Sequence, residues 1–209
     1  ASILRIAKET GAKVHLCRLS TAEGVEMVRA AKKAGQQVTC DVSANHLHLT
    51  DFDIGFFDAN THLKPPARSQ RDKAALSGGV ADGTIDAICS DHTPVDDDAK
   101  LYPFAEAEAG ATGLELLLPL TLKWAEENKM TLSKAIETIT QTPAKILGVA
   151  AGDIGINANA DICIFDPKQY WKVERKALVS QGKNTPFLGL ELAGKVKYTL
   201  VNGHIVHQD

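Results

Sequence analysis

Aromatic residues are scarce in this 209-residue chain, at 5%, and so are cysteines, of which there are four. Cys17, Cys40, Cys89 and Cys163 stand singly in apolar, strand-like segments, with no CxxC and no Cys/His pair at zinc-finger spacing. That excludes a disulfide scaffold and a finger-type zinc module, and the four read as buried reduced thiols. No apolar run approaches the roughly 18 residues of a membrane span, and the N-terminal segment reads as helix without the plan of a signal peptide. A cytoplasmic location is therefore expected. Positive charge is not in excess either: 23 Lys and Arg face 26 Asp and Glu, for a net charge of −3. The basic residues are scattered, so nothing favours nucleic acid as a partner. What remains is a chain 44% hydrophobic and 23% charged, ordinary for a globular protein with a real core.

Strand-like and helix-like periods alternate along the first two thirds, the pattern of parallel β/α units. Strands are expected near 13–18, 37–42, 60–64 and 84–90. Ser20 and Glu23 have capping-box spacing before a helix that buries Ala22, Val25, Val28 and Ala31 and ends at Gly35. Pro65 and Pro66 force extended backbone before Ser69 caps the next helix. The polar stretch DHTPVDDDAKLYPF after strand 84–90 is too long for an ordinary β/α connection. Thr112 and Glu115 then have the spacing of another capping box, and residues 131–147 read as one more helix. From about 149 the texture changes to short β segments, and Asn202-Gly203 between two apolar stretches signals a hairpin. The expected organisation is a β/α region over 1–148 and a small β domain over 149–209.

Seven runs carry a resemblance. HLCRLSTAEGV, VTCDVSANHLHLTDFDI, KPPARSQRD, ADGTIDAICSDHTPVDDDAK, GATGLELLLPLTL and GDIGINANADICIFDP, followed by NTPFLGLELAGKVKYTLVNGHIV, resemble dihydroorotases in order and spacing over essentially the whole chain. Dihydroorotases of this type belong to the amidohydrolase superfamily, whose catalytic body is a (β/α)8 barrel with metals at the C-terminal ends of its strands. The resemblance implies an α/β fold: the C-terminal half of a TIM barrel, strands five to eight, plus a small β domain. It also implies that an HxH metal motif, a bridging residue and a substrate-binding arginine belong to a first half that this chain does not contain. That missing half, or a second copy, is the expected partner, and aspartate carbamoyltransferase is a further one, since some members of this family bind it.

Hydrolysis of a cyclic amide in this family needs a metal-bound hydroxide, a metal that polarises the carbonyl, and an aspartate that shuttles the proton. Zinc is the family's metal, and the resemblance assigns each requirement a position. The ligand histidine after strand five is replaced by Arg18, whose permanent charge cannot coordinate a cation. The PHH triplet after strand six reads Ala44-Asn45-His46, with Asn45 at the first histidine and His46 at the second. His46 and His48 are either loop and core histidines or two ligands lacking partners. Lys64 stands where an asparagine precedes the double proline, and Val95 replaces the last histidine of DHAPH beyond His92. Asp91 keeps the catalytic aspartate's place, and Gly113 keeps a small residue that faces substrate or merely opens a helix. Asp91 reads either as catalytic or as a carboxylate paired with Arg18 or Lys64. No metal is expected in this chain, and Asp91, Arg18, Asn45 and Lys64 are expected to converge at the strand mouths.

Two functions follow. One is a non-catalytic dihydroorotase homologue of pyrimidine biosynthesis acting as a structural partner. The other is a working metal-dependent dihydroorotase or related cyclic amidase whose site is completed by the absent half.

Overall fold

A computed structural model describes residues 2–209, and its contacts divide the chain into two compact units. The first takes residues up to Leu114 together with the returning segment Ser180–Pro186; the second takes Glu115–Val179 and Phe187–Asp209. The expected change of texture at 149 lies inside the second unit.

In the first unit α1 (Ser2–Thr10) leads into β1 (Val14–Leu16), α2 (Ala22–Lys33), β2 (Val38–Ser43) and the short α3 (Ala44–His48). Then come α4 (Gln70–Ala81) and β3 (Ala87–Cys89). The strands form a parallel sheet in the order β1-β2-β3, and β/α alternation of this kind is the signature of a barrel wall. Val38, Cys40 and Val42 alternate along β2 and are buried. Val25, Val28, Leu76 and Val80 of α2 and α4 are likewise 2% exposed or less, each burial stabilising by about 1.5–3 kcal/mol. Gly79 lets these layers close up, since a Cβ there would lie 3.0 Å from Val25 Cγ1. Asp72 fastens the two helices, its Oδ1 accepting from Ala22 N at 2.8 Å.

The second unit holds α5 (Leu117–Glu127), α6 (Leu132–Glu137) and α7 (Gln141–Leu147). They precede an antiparallel sheet of β4 (Ile162–Lys172), β5 (Glu191–Val201) and β6 (His204–Gln208). Trp124, Val173 and Leu192 are buried there. The hairpin at Asn202-Gly203 is present, with φ of 49° and 80° and Val201 opposite His204, as a type I′ turn demands.

Several local expectations are corrected. Residues 60–64 are not a strand. The Asp58 side chain accepts from Asn60 N and curls 59–61 into a 3-10 turn, two prolines follow, and β2 pairs directly with β3. The cap of α2 is Thr21 rather than Ser20, with Thr21 Oγ1 accepting from Gly24 N. Thr112 caps nothing: its hydroxyl bonds Gly182 O and Asn184 Oδ1, and α5 begins five residues later. The helix expected over 131–147 is two, because the Pro143 ring would collide with the carbonyl of Ile139 in a continuous helix. Only Cys40 is fully buried; Cys89 is half-buried, and Cys17 and Cys163 are exposed. No helix among the described residues is long and apolar enough to cross a membrane.

Candidate functional site

The parallel strands of the first unit end at one face, and Arg18, Asn45, His46, Asp91 and His92 sit just beyond those ends. Arg18 follows β1 and Asp91 follows β3, and both take left-handed backbone, at φ of 56° and 49°. Non-glycine residues pay for that conformation only where their surroundings hold them. Here Arg18 N donates to Asp41 Oδ1 at 2.8 Å, while Arg18 Nη1 donates to Asp91 Oδ1 and to Lys64 O, both at 3.0 Å. The Asp91 side chain is 9% exposed and that of Arg18 is 45% exposed. The hydrogen bond that Arg18 donates to Asp91, and then the charge of that carboxylate, hold the guanidinium's pKa above its ordinary value.

Lys64 therefore enters the site through its carbonyl, and its ammonium forms no ion pair among the described residues. Asn45 and His46 lie on α3, 1% and 2% exposed. His46 Nε2 faces Pro66 O at 3.1 Å, so it carries the proton and donates. Asn45 Nδ2 and His46 Nδ1 have no hydrogen-bond partner among the described residues. Burial lowers the pKa of His46, which leaves a neutral imidazole. His92 is turned another way: its Nδ1 accepts from Gly113 N at 3.1 Å and Leu114 N at 3.3 Å. Gly113 is required by the close approach of two backbones, because a Cβ there would meet Ser90 O at 2.4 Å.

Arg18 and Asp91 are thus brought together with the Lys64 carbonyl. Asn45 and His46 are buried beside them without joining the ion pair, and His92 and Gly113 form a separate strut.

Residues 1–206 match the amidohydrolase family. The chain belongs to that family. It is 41% identical to a dihydroorotase from Geobacter sp. (strain M21) over 203 residues, 97% of this chain and 48% of the relative. It is 38% identical to a dihydroorotase-like protein from Pseudomonas aeruginosa over 98% of this chain and 48% of the relative. The chain spans about half the length of the curated relatives it matches. The L-hydantoinase of Arthrobacter aurescens superposes with a TM-score of 0.91 at 28% identity, over 99% of this chain and 47% of that one. The inactive dihydroorotase-like domain of the Chaetomium thermophilum CAD-like multifunctional protein shares the fold, with a TM-score of 0.73 at 20% identity, over 98% and 54%. The fold is the C-terminal part of an amidohydrolase barrel with an added β sheet.

A divalent ion at these strand ends does not fit the residues present. Arg18 occupies the mouth of β1 with a fixed positive charge and is satisfied by Asp91. Asn45 offers an amide in place of an imidazole. One group of metal-binding character was missed from the sequence: His15 and Cys17, on either side of the last residue of β1, and Asp41, two residues before the end of β2. The His-x-Cys spacing on a strand was the available signal, since residues two apart share a face.

Proposed function

We propose that this chain is part of a non-catalytic dihydroorotase-like protein of pyrimidine biosynthesis that serves as a structural partner. The Arg18–Asp91 ion pair carries this reading. It engages the carboxylate that stands at the catalytic aspartate's place, and it sets a cation where a metal ligand would stand. Residues 1–148 contribute the C-terminal part of a barrel and 149–209 a β domain. A first half or a second copy covers the outer edge of β1, which has no strand beside it among the described residues. Aspartate carbamoyltransferase is the proposed larger partner, and zinc belongs to catalytic relatives.

A second reading, an active cyclic amidase completed by the other half of the barrel, draws on Asp91 itself, held in strained backbone at a strand end. The two readings separate in the full-length protein when dihydroorotate hydrolysis and the denaturation midpoint are measured for the parent and for Asp91→Asn. A scaffold shows no turnover in either and a lower midpoint in the variant. Turnover that is lost in Asp91→Asn, with stability unchanged or raised, means an enzyme.

A further inference from the structure

We propose that His15, Cys17 and Asp41 form a zinc site on the polar face of the parallel sheet, with ligands distinct from the strand-end residues Arg18, Asn45 and Asp91. One nitrogen, one sulfur and one oxygen ligand atom from these residues lie within 4.8 Å of one another. His15 and Cys17 stand two apart at β1 and so share a face, and the parallel register sets His15 beside Thr39, two residues before Asp41. The opposite face of β2, carrying Val38, Cys40 and Val42, is the buried one, so the three ligand residues occupy the polar side.

The set is already oriented. His15 Nε2 lies 2.9 Å from Asp41 Oδ2 and Nδ1 lies 2.8 Å from Thr39 Oγ1. If zinc takes Nε2, Nδ1–H donates to the Thr39 hydroxyl, the kind of outer contact that fixes a ligating imidazole. Asp41 Oδ1 is held by the backbone N–H of Arg18 and the Cys89 thiol, which leaves Oδ2 for the ion. Imidazole, thiolate and carboxylate together suit zinc better than magnesium or calcium, which prefer oxygen. Binding replaces the S–H bond of Cys17 by a Zn–S bond and releases that proton to water. A fourth position is left for water.

The inference rests on these residues alone and holds whether or not the protein catalyses. Its test is cobalt(II) substitution of the purified full-length protein. A thiolate ligand gives a near-ultraviolet sulfur-to-cobalt charge-transfer band that a site of histidines and carboxylates alone cannot give. The band should appear in the parent and in Cys163→Ser, and vanish in Cys17→Ser. Zinc should raise the melting temperature of the parent and fail to do so in His15→Gln. The proposal is overturned by absence of the band, by its survival in Cys17→Ser, or by an equal zinc-induced shift in His15→Gln. Should Cys17→Ser not fold, loss or survival of the band in His15→Gln and Asp41→Asn decides in the same way.

Discussion

Arg18 and Asp91 illustrate what one substitution does to a barrel mouth. The side chain of Asp91 is nearly covered while that of Arg18 is almost half in solvent, so the pair is stabilising but screened on one side. A double-mutant cycle with Arg18→Gln and Asp91→Asn should give a coupling of about 1 kcal/mol, larger than a surface pair and smaller than a buried one. A coupling of zero would mean that the two are neighbours only. His46 supplies a pH dependence. Its folded pKa lies below the ordinary 6.5, so below pH 6.5 the unfolded chain takes up a proton that the folded chain refuses. Its contribution is therefore complete above that value and declines as the pH falls towards the folded pKa. His46→Gln should cost about 1–3 kcal/mol at mildly alkaline pH, through the lost bond to Pro66 O. Urea titrations should show that deficit shrinking below pH 6.5; a deficit constant with pH would contradict the assignment. Strand-end residues could be read from the sequence because each chemistry has its own residue type. His15 offered only its His-x-Cys spacing, because the contact with the Asp41 side chain comes from a strand 26 residues on.

At the scale of elements, regular pieces were legible where local chemistry decides them and illegible where tertiary partners do. Ser69 caps α4 and Asn202-Gly203 turns the last hairpin because the signal and the structure lie within four residues of each other. Thr112 and Glu115 have the right spacing for a cap, but the hydroxyl of Thr112 is claimed by residues about 70 positions away. Residues 60–64 look apolar enough for a strand, yet the ladder position beside β2 belongs to β3. The junction of β3 with the loop before α5 offers a sharp test. Gly113→Ala must force its methyl into the space of the Ser90 carbonyl, 2.4 Å away, and no flexible side chain can yield there. A loss of about 2–4 kcal/mol, measured by chemical denaturation, is expected. A near-neutral variant would show that the two backbones can part.

For the whole molecule, the first unit is not continuous in sequence: Ser180–Pro186 returns to it from beyond the helices and the first long strand. Asn184, 3% exposed, is the reason for that return. Its Oδ1 accepts from Val95 N at 3.1 Å and Thr112 Oγ1 at 3.0 Å, while its Nδ2 donates to Thr93 O at 3.0 Å and Gly110 O at 3.1 Å. All four hydrogen-bonding capacities of the amide are used. Asn184→Ala strands several buried backbone groups at once and should cost about 3–5 kcal/mol, whereas Asn184→Asp should fall between, keeping the acceptor and losing the donors. Equal midpoints for the two variants would count against this account. Nothing in the sequence near position 184 announces such a role, because every partner lies about 70 or more residues upstream. A ribosome releases this protein from its N-terminus, so the loop holding Thr93 and Gly110 emerges long before the amide that will pin it. The nascent first unit must wait, with those carbonyls in water, until synthesis has passed residue 184.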